Sequence, residues 1–233
     1  MSVDGADVTE LTLQTSAGSS IHGRFTFQQS GDSKRPAPGS VELSPVPVDA
    51  DLAPSSPATA DVHADWSFDV RGINGPRRLQ LLRAPTGWTL AEIRVNGIDS
   101  TDRPIAFGTP QQSLTDVEVV MTDRVNDVRG TVTDDRGRPA PESTVIVFSS
   151  DRGLRYHTSR FMRRQIAGAD GAFIVAGLPA GSYYAAAVDR AALEDDDAWE
   201  DSELLDSLVP ASASFTLGSG GDTVTLNLKL PRR

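Results

Sequence analysis

Between residues 151 and 165 the chain reads DRGLRYHTSRFMRRQ. Five arginines, Arg152, Arg155, Arg160, Arg163 and Arg164, interleave there with Tyr156, His157 and Phe161. Guanidinium groups offer planar, paired donors that match carboxylates and sulfates, and rings between them add stacking surface. In a chain of 233 residues with net charge −10, this is a local positive patch. Arg152, Arg155, Tyr156, Arg160, Phe161, Arg163 and Arg164 therefore make up the candidate binding surface, for an acidic partner or a glycan. The competing reading pairs the same arginines with the chain's own acids on solvated strand faces. The run EDDDAWEDSE (194–203) is the natural store of such acids. Its carboxylates would also suit calcium, but the loop glycine and terminal glutamate of an EF-hand are missing. An acidic loop leading into a short amphipathic helix near 201–208 is the preferred reading, with calcium as the alternative.

Other chemistry is sparse. His22, His63 and His157 lie far apart and are expected on strand or loop surfaces. Trp66, Trp88 and Trp199 suit either a sugar-stacking platform or half-buried packing, and packing is favoured. Cysteine is absent, which removes disulfides, thiolate metal sites and thiol nucleophiles together. No Ser/His/Asp arrangement, phosphate loop or dinucleotide fingerprint occurs, so no catalytic residue, cofactor site or metal site is assigned. The acidic balance disfavours nucleic acid and anionic membranes. The first twenty residues show neither the basic start nor the apolar run of a signal peptide, so none is expected among them, and no apolar run is long enough to span a bilayer.

The elements around these residues are short. VRGTVTD (128–134), STVIVFSS (143–150), GAFIVAG (171–177), SYYAAAV (182–188) and DTVTLNLKL (222–230) alternate or run apolar as strands do. DDRG, LPAG and GSGG separate them as turns. In IRVNGID (93–99), Asn96-Gly97 supplies the two positive-φ positions of a type I′ hairpin. The pattern is also written twice. DWSFDVRG (65–72) matches DGAFIVAG (170–177), IHGRFTF (21–27) matches VRGTVTD, and PGSVELSPV (38–46) loosely matches PESTVIVFS (141–149). Gly23 and Gly130 stand 107 positions apart, and Phe68 and Phe173 stand 105 apart. The closing strand EVVMT (118–122) has a counterpart in LTLQT (11–15), so residues 1–16 read as the end of a preceding module or as the first strand of module one.

Residues Gly130, Asp134, Gly137, Pro139, Asp170, Gly171, Phe173, Gly177, Leu178, Pro179, Gly181 and Tyr183 resemble the motif of the carboxypeptidase regulatory-like domain, a transthyretin-like (prealbumin-like) β-sandwich. Module one resembles it more weakly: Gly23, Asp65, Phe68 and Gly72 stand, but Trp66 replaces the turn glycine and INGPRRL replaces LPxGxY. The resemblance implies an all-β chain of two tandem Greek-key β-sandwiches of about seven strands each, over 17–122 and 123–233. It implies a non-catalytic spacer and interaction domain of a larger bacterial cell-envelope or secreted protein, partnered by other domains of its parent or another envelope protein. Enzymes sharing the sandwich need residues this chain lacks: hydroxyisourate hydrolases a Tyr-Arg-Gly-Ser end, intradiol dioxygenases a His-x-His pair. A lysine–asparagine crosslink is not expected either, since strands 21–27 and 128–134 contain no lysine although Asn227 and Lys229 share the last strand. The motif itself is structural, with Asp170-Gly171 turning, Phe173 and Val175 facing the core, and Tyr183 packing at a corner.

Overall fold

In a computed structural model, residues 17–31, 33–49, 58–108, 112–193 and 198–231 are described. The chain is all-β apart from one α-helix and short 3-10 turns. The first sandwich comprises β1 (Ser19–Gln28), β2 (Glu42–Pro47), β3 (Asp61–Val62), β4 (Ser67–Ile73), β5 (Gly75–Arg83), β6 (Thr89–Val95), β7 (Ile98–Asp99), β8 (Ile105–Phe107) and β9 (Ser113–Thr122). A sheet ordered β3-β4-β1-β9-β6-β7 faces a sheet ordered β2-β5-β8. Alternate residues of both, among them Ile21, Phe25, Leu43, Phe68, Leu79 and Val119, close one apolar core. Pro45 and Pro47 sit in β2, an edge strand, where a missing donor does no harm.

The second sandwich comprises β10 (Asn126–Thr133), β11 (Thr144–Ser149), β12 (Met162–Ile166), β13 (Ala172–Leu178), β14 (Gly181–Val188), β15 (Ala213–Leu217) and β16 (Thr223–Lys229). Its sheets run β13-β10-β16 and β12-β11-β14-β15. All residues of β11 are buried. Val145 and Val147 enter the inter-sheet core, while Ile146 and Phe148 face outward under helix α1 (Ser202–Leu208) through Leu205. The two-sided burial explains why this strand reads as an unbroken apolar run rather than an alternation. Asp201 starts the helix by accepting from the amides of Glu203 and Leu204, and the helix lies where the sequence placed it.

Both sandwiches are built around a glycine in their first strand. β1 pairs antiparallel with β4 and parallel with β9; β10 pairs antiparallel with β13 and parallel with β16. Gly23 lies opposite Phe68, and Gly130 opposite Phe173. A Cβ added at Gly23 would stand 2.3 Å from the Val117 carbonyl oxygen, and one at Gly130 1.9 Å from that of Leu226. Only glycine admits the closing strand and the phenyl ring together. Trp66, in the place of Gly171, takes the same left-handed backbone, with φ 69° against 75°. Its indole packs edge-on to Phe25 and Phe27.

The two differ in what joins the late strands. Between β5 and β8 the first sandwich adds the β6–β7 hairpin to β9, with Asn96 at φ 50° and Gly97 at φ 74° as a type I′ turn requires. Between β14 and β15 the second adds α1 and its flanking 3-10 turns. Residues 11–15 lie outside the described residues. Among the described residues no helix is long and apolar enough to cross a membrane.

Candidate functional site

The arginine–aromatic segment runs from the end of β11 into β12, and most of its side chains are turned to internal contacts. Asp151 opens a 3-10 turn by accepting from the Gly153 amide at 2.8 Å, which swings the next residues toward α1. Asp206 of α1 then receives Arg152 at 3.0 Å and Arg155 at 2.9 Å. The Arg155 side chain is only 4% exposed, lies over the Phe148 ring and also donates to the Ser149 carbonyl at 2.7 Å.

The middle of the segment crosses to the first sandwich. Arg160 grips Asp102 with Nε at 3.0 Å from both oxygens and Nη2 at 2.8 Å, and Nη1 donates to the Leu90 carbonyl at 2.8 Å. The Tyr156 hydroxyl donates to Asp102 at 3.2 Å, and the Arg78 guanidinium covers the Tyr156 ring at 4.1 Å. Burial, with the Asp102 charge added, pushes the Tyr156 hydroxyl up to about 12. Thr158 donates to the Gln80 side chain at 2.8 Å. Asp102 is presented by a prepared loop: Asp99 accepts from the Thr101 hydroxyl and amide, which holds its own carboxyl below the usual range, and Asp102 sits at φ 60°.

Past this point Phe161 is buried and stacks on Tyr183, whose hydroxyl donates to the Pro179 carbonyl at 2.8 Å. Burial also raises the Tyr183 hydroxyl above its ordinary value. Arg164 lies over Trp199, and His157 contacts Glu200 at 2.7 Å. Arg163 stands apart. Among the described residues it donates to carbonyl oxygens, of Met162 at 2.8 Å and Ser159 at 3.4 Å, and burial pushes its guanidinium below the usual value.

The pairing of these arginines with the chain's own acids, weighed from the sequence, is what the side chains of this segment mostly do. Phe161 and Arg155 are enclosed, and Arg152, Arg155, Tyr156 and Arg160 bind acids of this chain, because turn and strand geometry aim them at α1 and at the Asp102 loop. The tryptophans pack, the reading favoured from the sequence: Trp66 and Trp88 are buried in the first core, and Trp199 packs against the α1 cluster. The acids that serve are Asp206, Glu200 and Asp102; residues 194–197 lie outside the described residues.

The linker between the sandwiches is short and pinned at both ends. Asp123 accepts from the Ser30 amide and hydroxyl. Buried Asn126 donates to the carbonyls of Leu178 and Gly218 and accepts from the Asp222 amide at 2.7 Å. Sequence reasoning did not single out Asp102, Asn126 or Asp123; their partners stand 52 to 96 positions away, beyond any local pattern. A second cluster was also missed. His22 and His63, distant in sequence, both bond Asp69, His63 at 2.8 Å.

No protein-family model matches the chain, and no curated protein does. Solved structures resemble it distantly. The Bacillus anthracis TIE protein is 9% identical with a TM-score of 0.31, over 90% of this chain and 34% of its own. A streptococcal ancillary pilin is 16% identical with a TM-score of 0.34, over 93% of this chain and 63% of its own. The shaft pilin SpaA from Lactobacillus rhamnosus GG is 8% identical with a TM-score of 0.31, over 94% and 99%. The chain thus spans about a third of the first and under two thirds of the second. At such scores the site is read from this chain's own side chains.

Proposed function

We propose that the chain is a non-catalytic structural and interaction segment built of two tandem copies of one carboxypeptidase regulatory-like module. The copies span 17–122 and 123–233, within a longer bacterial cell-envelope or secreted protein. The observation that carries this reading is the clasp at Asp102, where Arg160 and Tyr156 of one sandwich hold a loop of the other. With the pinned linker, it makes the pair a strut that sets a distance between whatever is attached at either end. The duplication is supported by the shared first-strand glycine, the parallel closing strands and the left-handed backbone common to Trp66 and Gly171. The motif residues are used up in turns, core and corner, which favours a mechanical role over chemistry.

Small-angle X-ray scattering tests the strut directly. The chain should scatter as one fixed arrangement of two sandwiches, and inserting Gly-Gly-Ser after Val125 together with Arg160→Ala should give the profile of two loosely tethered bodies. An unaltered chain that already scatters as loosely tethered bodies would end the reading.

A further inference from the structure

Where the sandwiches meet, positive charge exceeds negative. Arg78 comes from β5, Arg160 and Arg163 from the arginine segment, and among the described residues Asp102 is the acid that lines the cavity with Arg160 and Arg163. Arg160 occupies both Asp102 oxygens. Arg78 stacks on Tyr156, and its buried Nε has no hydrogen-bond partner. Arg163 makes no ion pair with any described carboxylate. Its register opposite Val147 turns it inward, and it lines a cavity of about 450 Å³ between the sandwiches. Leu79, Leu81, Leu82 and Leu90 supply apolar walls, and Gln80 and Thr89 supply polar ones.

This is the make-up of a small-molecule site: concave, with apolar and polar walls in similar measure, a fixed polar anchor, and a volume within the usual range of roughly 300–1,000 Å³. We propose that the cavity binds a small organic monocarboxylate, its head on the Arg163 guanidinium and its apolar body against the leucines. An unpaired, partly desolvated cation gains most from a charge-assisted pair of hydrogen bonds. A single negative charge fits better than a phosphate dianion, because the Asp102 carboxylate also lines the wall, its charge countered by the Arg160 guanidinium that already holds it and its oxygen bonded by the Tyr156 hydroxyl. The site needs the two sandwiches docked as described, which the scattering experiment tests without ligand.

The test is calorimetric titration of the whole chain with 4-phenylbutanoate and with its neutral isostere 4-phenylbutanamide, on the unaltered chain and on Arg163→Gln and Leu82→Glu. Leu82 is 48% exposed, so its replacement leaves the fold intact while placing an anion in the cavity. The acid should bind saturably; the amide, and the acid on either variant, should bind roughly ten- to a hundredfold more weakly. If Arg163→Gln does not fold, Leu82→Glu alone decides. Equal affinity for acid and amide, no saturable heat from the acid, or unchanged affinity in Leu82→Glu would each overturn the proposal.

Discussion

Asp102→Ala removes the carboxylate that joins the sandwiches and leaves Arg160 and Tyr156 facing a gap. The two charged side chains are 20% and 13% exposed, between the surface and the buried regimes. Exposed pairs contribute about 0–1 kcal/mol, while deleting one partner of a buried pair costs about 3–5 kcal/mol. A loss of roughly 2–3 kcal/mol from docking follows by interpolation, a factor on the order of 30–150 in the open-to-closed ratio. The chain has no cysteine, so two introduced ones give a clean label pair. Arg71→Cys on β4 and Ile174→Cys on β13 place spin labels on exposed positions of separate sandwiches. Double electron–electron resonance should show one narrow distance in the parent and a broad distribution in the Asp102→Ala background. Arg160→Ala should broaden it similarly, and the double replacement should add little, because the two residues act through one contact. A narrow distribution in Asp102→Ala, with each sandwich still folded, would show that the interface is held elsewhere and refute the clasp.

Trp66→Gly relieves a left-handed tryptophan but empties a core site. Roughly 1–4 kcal/mol of net destabilisation remains once ~1–2 kcal/mol of backbone strain is set against ~3–5 kcal/mol for a deleted core aromatic. A rise in melting temperature by calorimetry would contradict this. Gly130→Ala should unfold the second sandwich, at a cost of about 4 kcal/mol or more, while the first still melts separately; one unchanged transition would contradict the close approach of Leu226. His63 is raised from 6.5 chiefly by its hydrogen bond to Asp69, with Asp61 and Asp65 adding to the field. Its contribution is therefore full below about 6.5 and lost as pH rises through the raised value. Asp69 is lowered from 3.8 chiefly by the same bond, so its contribution is present above that value and lost as pH falls through the lowered one. Melting temperature against pH should fall on both flanks for the first sandwich, and His63→Gln should flatten the alkaline flank. An unchanged alkaline flank would remove His63 from the account.

Most strands were legible because their residues alternate or run apolar against turn glycines, as in GAFIVAG and DTVTLNLKL. Asn96-Gly97 announced its hairpin because only certain residues tolerate positive φ in succession. That hairpin's docking onto β9 was not legible, since edge pairing depends on register and not on the hairpin's own pattern. The acid facing Arg160 could not be chosen among 32 candidates without the loop that aims it. The meeting of His22 with Asp69 was nearer to hand. Each neighbours one member of the Gly23–Phe68 pair, and matching the first-strand glycine to the strand that carries Phe68 sets them side by side.

In each sandwich the first and last strands are neighbours and run the same way, β1 beside β9 and β10 beside β16. Tension along the chain would pull the start of one strand and the end of its neighbour in opposite directions, sliding the two past each other. From Asp127 opposite Thr223 to Thr133 opposite Lys229, the cross-strand hydrogen bonds would then carry load together and not open one at a time as in a peeled hairpin. The glycine that brings these strands so close is also what lets each sandwich resist being stretched.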